Sequence, residues 1–302
     1  MKPPCPNPHC QSLRIIKAGF FYRSSDRCKV QRYRCKDCRA EYSDATLCPE
    51  YKQKKRHLNH NVQMHLASGA SQNRLALLLQ TNRKTIARKL TFLGSLCKTQ
   101  AAAHLASQPQ AEFVQFDELE TFEHTQCKPL SVALAVDAHT RRILGFEVST
   151  MPASGKLAHV SRQKYGPRKD GRKAGLQQMF GKISPFCAPK LSLLSDKRSR
   201  YTPVVKATLG AEEGRQVDYS QVKGALGSNT GQGELKKVKY DPLFSINHTF
   251  AMLRANINRL FRRTWNTTKK ISCLENHLHL YAYFHNAVLL PAAAAKTTRR
   301  RE

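Results

Sequence analysis

Apolar side chains recur along this chain with two different periods, and the change from one to the other divides it. From Leu58 to Leu93 the spacing is helical: Leu58, Val62, His65 and Leu66 form one stripe, Leu75, Leu78 and Leu79 a second, and Ile86, Leu90 and Leu93 a third. Three short helices are expected. Gly69 separates the first two, Ser71 is placed to cap the second, and Thr81 or Asn82 to cap the third. After the small, polar stretch Ala101 to Gln110, which reads as a linker, the period shortens. Phe113 to Phe116, Leu130 to Val136 and Ile143 to Val148 read as three antiparallel strands, with a turn around Asp137 to Arg142.

Helical spacing then returns. Ser154 to Lys182 is basic and polar with an amphipathic piece at Leu176 to Phe180, which predicts a helix over the sheet. Leu191 to Leu194 is a short buried strand that runs into Ser195-Asp196-Lys197. Gly210 to Asp241 is rich in Gly, Lys and polar residues and reads as a loop with one strand near Gln216 to Val222. Phe250, Leu253, Ile257, Leu260 and Phe261 share one helical face, opposite Arg254, Arg259, Arg262 and Arg263. A last helix is expected around Leu274 to Leu290.

Charge changes how these elements are read. The 302 residues carry 51 Lys plus Arg against 21 Asp plus Glu, a formal net charge of +30, and such an excess implies a polyanionic partner, most simply DNA or RNA. A hydrophobic content of 40% excludes a disordered chain and allows one full-sized core with one or two small attachments. No secretory signal, lipidation motif or long apolar helix is evident, and Ala287 to Ala295 contains Pro291 and is too short to span a bilayer. A soluble, intracellular protein with no membrane partner is expected. The three helices then take the layout of a helix-turn-helix, with Asn82, Arg83, Lys84 and Arg88 at the exposed front of the helix that enters the major groove. An ordinary three-helix domain is the plainer alternative.

Four of the ten cysteines fall in two close pairs, Cys5-x4-Cys10 and Cys35-x2-Cys38. Two such pairs across a short polar segment have the spacing of a one-zinc ribbon, each turn supplying two thiolates to a tetrahedral Zn²⁺. Cys28 is a spare thiol that could replace one of them. Cys48, Cys97, Cys127, Cys187 and Cys273 lack pair spacing and read as small buried hydrophobes. A second zinc site from Cys48 with His57, His60 and His65 is disfavoured.

Two carboxylates sit where strands end, Asp117 after the first strand of the sheet and Asp196 after the fourth. Hard oxygen ligands meeting at one sheet edge suit Mg²⁺ or Mn²⁺. An Asp after a strand is also a common turn former or helix cap, so the pattern alone leaves both readings open. Asp137 reads as a turn residue.

Taken in order, Cys35-Lys-Asp-Cys38, Phe116-Asp-Glu118, Ala135-Val-Asp-Ala-His-Thr-Arg-Arg-Ile-Leu-Gly145, Leu194-Ser-Asp196 and Leu253-Arg-Ala-Asn-Ile-Asn-Arg-Leu260 resemble the bacterial insertion-sequence transposases of the insertion-sequence-one type and their relatives. The resemblance spans nearly the whole chain. It implies an α/β architecture: a zinc ribbon over residues 1–50, a helix-turn-helix domain over 51–100, a ribonuclease-H-like catalytic domain with a mixed sheet flanked by helices over 111–290, and a basic tail over 291–302. The metal-binding carboxylates of the family then fall on Asp117 and Asp196, and its glutamate on Asn247 in Ser245-Ile-Asn-His-Thr249. Asparagine offers a neutral carbonyl oxygen, which ligates Mg²⁺ with less charge neutralisation. Glu234, Asp241 and His248 are the competing third ligands.

Carried to function, the resemblance implies a DNA transposase with structural Zn²⁺ and catalytic Mg²⁺ or Mn²⁺, hydrolysing a phosphodiester at each element end and joining the freed 3′-hydroxyl to target DNA. Arg83, Lys84 and Arg88, with Arg254, Arg259, Arg262, Arg263 and the basic Lys164 to Lys173 segment, would contact double-stranded DNA. A homo-oligomer that synapses two ends and a cytoplasmic, nucleoid-associated location in a bacterium follow by analogy. The alternative is a catalytically degenerate DNA-binding regulator. A purely structural nucleic-acid protein does not account for the hydrophobic strands after Phe113.

Overall fold

Alternating apolar strands need helices on both faces once the sheet contains parallel pairs, and that is the architecture of the larger part of the chain. The computed structural model describes residues 2–24, 27–222, 241–261 and 267–293. They form two compact units, Met1–Val62 and Gln63–Glu302.

In the first unit, β1 (Ile15–Arg23), β2 (Cys28–Cys35) and β3 (Glu41–Ser43) make an antiparallel sheet, followed by the single turn α1 (Asp44–Leu47). The buried cluster at its centre is small: Cys5, Ile15, Tyr33, Cys35 and Tyr42. Two of those five residues are cysteines, and a core this small needs another stabilising element.

The helical region consists of α2 (Asn59–Leu66), α3 (Gln72–Leu78) and α4 (Arg83–Ala106). Ser71 Oγ accepts from Arg74 N at 3.2 Å and Asn82 Oδ1 from Lys84 N at 2.8 Å, so both expected caps form, the second through Asn82. Two expectations fail. Leu78 is 59% exposed, with Leu77 beside it at 72%, and the buried face of α3 is Leu75 and Ala76 instead. The expected linker is helix as far as Ala106, because Ala101 to Ala103 are strong helix formers. α4 packs against α9 (Ile271–Phe284), where a Cβ on Gly94 would lie 2.5 Å from Asn276 Cβ.

The large sheet has the order β6-β5-β4-β7-β8, built from β4 (Ala111–Phe122), β5 (Pro129–Asp137), β6 (Ile143–Thr150), β7 (Cys187–Asp196) and β8 (Gln216–Val222). β4, β5 and β6 run antiparallel, while β7 is parallel to both β4 and β8. With helices on both faces this is the mixed, ribonuclease-H-like sheet that the resemblance implies. α6 (Arg172–Ile183) and α7 (Tyr201–Ala207) cover one face, where Phe116 meets Phe180 at 5.0 Å and Tyr201 at 5.1 Å between ring centroids. α8 (Phe244–Asn256) and α9 cover the other: Gln115, alternate to Phe116, bonds to α8, and Phe146 lies 4.6 Å from the His279 ring of α9.

Ser154 to Lys182 forms two helices, α5 (Leu157–Tyr165) and α6, broken at Gly166 (φ 72°) and Pro167. The arginine-bearing helix is shorter than its periodicity predicts. It stops at Asn256, Ile257 is extended, and Asn258–Leu260 is a 3₁₀ turn. Asn256 Nδ2 bonds back to Met252 O at 2.9 Å, a local bond that competes with helix continuation.

Candidate functional site

The parallel pairing of β4 with β7 places Phe116 opposite Ser195. The next residue on each strand is therefore Asp117 and Asp196, side by side on strands about 4.8 Å apart. Asp117 Oδ1 accepts from the Tyr201 hydroxyl at 2.9 Å, and the same hydroxyl lies 3.1 Å from Glu118 Oε2. Asp196 Oδ1 accepts from Lys197 N at 2.8 Å, and its Oδ2 lies 3.5 Å from Arg198 Nε. Burial, with the neighbouring Asp196 charge as a lesser cause, pushes the Asp117 carboxyl above the usual range, against the opposing Glu118 amide, Tyr201 hydroxyl and Arg198. A partly buried pair of carboxylates, only one of them ion-paired, with Arg198, is a donor set that fits a divalent cation. Glu118 is not part of it. That side chain is 4% exposed, takes Ser131 Oγ at 2.8 Å and Arg200 Nε at 2.9 Å, and forms an ion pair with the Arg200 guanidinium.

Asn247 lies in the first turn of α8, which is fastened to β4 by one side chain. Gln115 Oε1 accepts from Ile246 N at 3.0 Å, and Gln115 Nε2 donates to Pro242 O at 2.8 Å. Gln115 and Asp117 are two apart on one strand and share a face, so the helix start and the carboxylate lie on the same side of the sheet. Asn247 is exposed, and its Nδ2 donates to Asp241 Oδ2 at 2.9 Å, which leaves Oδ1 as the open acceptor. Asp241 is thus a neighbour that orients Asn247. His248 stacks near Phe244 and lies 3.4 Å from the Arg141 guanidinium; burial and then that charge lower its pKa. Glu234 lies outside the described residues. Among those described, no group of three or more His, Cys, Asp or Glu side chains gathers around Asp117 and Asp196. Asp137 is a turn former, as expected: its Oδ1 accepts from His139 N and Thr140 N, and its Oδ2 pairs with Arg142 at 2.8 Å.

The one such group found among the described residues is Cys5, Cys10, Cys35 and Cys38, whose sulfurs all lie within 4.8 Å of one another. Cys5 Sγ is 3.5 Å from Cys38 Sγ, and Cys10 Sγ is 3.8 Å from Cys35 Sγ. A tetrahedron with Zn–S bonds of about 2.3 Å has edges of about 3.8 Å, so the quartet could hold zinc with little movement. Backbone amides point at the sulfurs two residues on, Asn7 to Cys5, Ser12 to Cys10 and Asp37 to Cys35. The Cys38 amide, and after it that of Asp37, lowers the Cys35 thiol to about 7 against the effect of burial. The Asn7 amide alone would lower Cys5, but burial and the Cys38 and Cys35 sulfurs push it up to about 12. Cys28 begins β2, exposed and outside the cluster.

Of the residues expected to meet DNA, Arg83, Lys84 and Arg88 are exposed at the front of α4. Arg254 and Arg259 are not on a solvated face: both are half-buried, and burial lowers the Arg259 pKa. Arg262, Arg263 and residues 294–302 of the basic tail lie outside the described residues. Sequence reasoning passed over Gln115, Arg200, Tyr201 and the pairing of Asp241 with Asn247. Only Gln115 left a signal, a large amide inside an otherwise apolar strand.

No family model matches the chain, and no curated relative matches it. Among solved structures it is similar to the Mos1 strand transfer complex, at 12% identity over 79% of each chain with a TM-score of 0.23. It is also similar to the catalytic domain of Mos1 mariner transposase, at 12% identity over 67% of this chain and 94% of that one, with a TM-score of 0.21. No described helix is long and apolar enough to cross a membrane.

Proposed function

We propose that this chain is a DNA transposase of the Asp-Asp-Asn type. It hydrolyses a phosphodiester at an element end to free a 3′-hydroxyl, and that hydroxyl attacks a phosphodiester of target DNA, forming a new P–O bond as the target's own 3′-oxygen leaves as a hydroxyl. The observation that carries the reading is the β4–β7 register, which sets Asp117 beside Asp196 while Gln115 ties the helix bearing Asn247 to the same face. The net charge of +30 supports the polyanionic substrate. In this reading Cys5, Cys10, Cys35 and Cys38 hold a structural Zn²⁺, and α2 to α4 form a helix-turn-helix that presents Arg83, Lys84 and Arg88 to DNA.

Asp117 and Asp196 are the anionic ligands of the catalytic cation, and Asn247 adds its carbonyl oxygen. Bound Mg²⁺ or Mn²⁺ supplies Lewis-acid activation of the attacking hydroxyl and stabilises charge on the leaving oxygen. Tyr201 occupies Asp117 Oδ1 and so fixes the carboxylate rotamer, leaving Oδ2 for the cation. Glu118 and Arg200 neutralise each other and hold Tyr201 in place. Asp241 keeps the Asn247 amide nitrogen turned inward, so that the oxygen is presented.

The test is incubation of the zinc-loaded protein and its Asp117→Asn variant with Mg²⁺ and duplexes carrying the ends of the element. Nicking and joining by the wild type alone support the reading. Duplex binding with no Asp117-dependent cleavage supports the regulator instead. Asn247→Ala and Asn247→Glu separate the third ligand, since unchanged rates in both place it elsewhere.

A further inference from the structure

Away from the carboxylates, a crevice of about 230 Å³ opens between the front of the helical region and the segment after α8. Arg83, Arg259 and Lys269 line it together with Asn73, Asn258 and His277, and among the described residues no carboxylate does. Three cations facing one space repel each other unless an anion joins them. Arg259 is half-buried there, where a cation is hardest to leave without a counter-charge. His277 is 2% exposed; its Nε2 donates to Leu66 O at 2.8 Å, and burial lowers its pKa to about 4, so the ring is neutral and forms a wall of the crevice without adding a cation. Asn73 and Asn258 add neutral amides, which suit phosphate oxygens better than a carboxylate rim would.

We propose that this crevice is a phosphate-binding site that clamps one DNA backbone phosphate between the start of α4 and the segment after α8. It rests on the DNA-binding part of the reading above and deepens it. Arg83 and Arg259, which the sequence places in separate basic elements, hold one phosphate between them. Lys269, which no basic pattern singled out, completes the site.

The experiment uses the full zinc-loaded chain and fluorescence anisotropy of a labelled duplex across a salt series. Arg83 and Lys269 are exposed, so Arg83→Gln and Lys269→Gln leave the fold intact, and Arg259→Gln is checked by its melting temperature. Each single variant is expected to bind duplex about tenfold more weakly. Because one phosphate is shared, Arg83→Gln/Lys269→Gln loses less than the product of the single effects, and its log K against log salt slope falls by about 0.9 in total. Lys84→Gln, beside Arg83 but outside the crevice, combines with Lys269→Gln multiplicatively. Inorganic phosphate in a thermal-shift assay distinguishes the source. A wild-type shift that the double variant loses, with duplex binding and salt slope unchanged, makes this a free-phosphate site and overturns the proposal. Independent effects, with the slope falling by about 1.8, overturn it as well. Wild-type protein that binds no duplex sinks the transposase reading itself, an outcome distinct from either.

Discussion

The cysteine quartet and the carboxylate pair, each a cation site in the proposed reading, are assembled in opposite ways. Cys5, Cys10, Cys35 and Cys38 sit on two tight turns, and their sulfurs converge without help from a large core. The site is closed, with four soft ligands and amides aimed at the sulfurs, an arrangement for structure rather than chemistry. Asp117 and Asp196 are 79 residues apart in the numbering and meet only because β4 and β7 pair in one register. In the proposed reading their site is open and short of protein ligands, the arrangement a catalytic cation would need. Turns make a site that persists by itself; a sheet makes one that depends on everything around it.

The largest effect expected is the loss of the small unit. Cys35→Ser, or removal of zinc, takes away metal-binding energy of about 10–16 kcal/mol that for such modules is folding energy. Residues 2–62 should lose amide-proton dispersion in NMR, while the melting transition of Gln63–Glu302 stays in place. Cys28→Ser should change neither. Equal collapse in both variants would show that the quartet is not the ligand set. Next in size is Asp117→Asn, expected to slow nicking by about 10³-fold or more, roughly 4 kcal/mol of transition-state stabilisation, with the far-ultraviolet circular dichroism unchanged.

Legibility in the sequence follows the same division. The quartet could be read from spacing because its geometry is local. The strand periods gave the three-stranded meander and, at Gln216 to Val222, even β8, because alternation is a property of single strands. The extension of α4 through Ala101 to Ala106 was missed because small residues serve linkers and helices equally. Tyr201 was missed for a like reason: nothing near it in the chain announces that its hydroxyl will reach Asp117. The resemblance named Asp117, Asp196 and Asn247, but the fastening of α8 by Gln115 is visible only once β4 has neighbours.

A smaller effect probes that dependence on surroundings. Tyr201 is fully buried, and phenylalanine fits the same space. Tyr201→Phe removes one hydrogen bond to a carboxylate, worth about 1.5–3 kcal/mol. It should raise the Mg²⁺ concentration for half-maximal nicking more than it lowers the rate at saturating Mg²⁺, because the carboxylate loses its fixed rotamer and keeps its charge. Binding of Mn²⁺ followed by calorimetry should weaken in parallel. A fall in rate with unchanged metal affinity would assign Tyr201 some other role.

The smallest effect is thermodynamic and needs no DNA. Asp117 titrates above its ordinary range in the folded protein, chiefly through burial, so between its unfolded and folded pKa values the native state holds more protons than the unfolded one. Stability therefore falls as pH rises through that window, and the cost is complete above the folded value. Glu275, also raised by burial and then by Glu147, adds a slope of the same sign, so the informative quantity is the difference between wild type and Asp117→Asn. With zinc retained and no Mg²⁺ or Mn²⁺ added, the variant should melt higher than wild type at pH 7, and the gap should close below pH ~4, the unfolded carboxylate value. Adding Mg²⁺ should raise only the wild type, since a ligand that binds the folded state alone stabilises it by mass action. A variant less stable than wild type at pH 7 would mean that Asp117, like Cys35, holds its own part of the fold together, and the contrast between the two sites would fail.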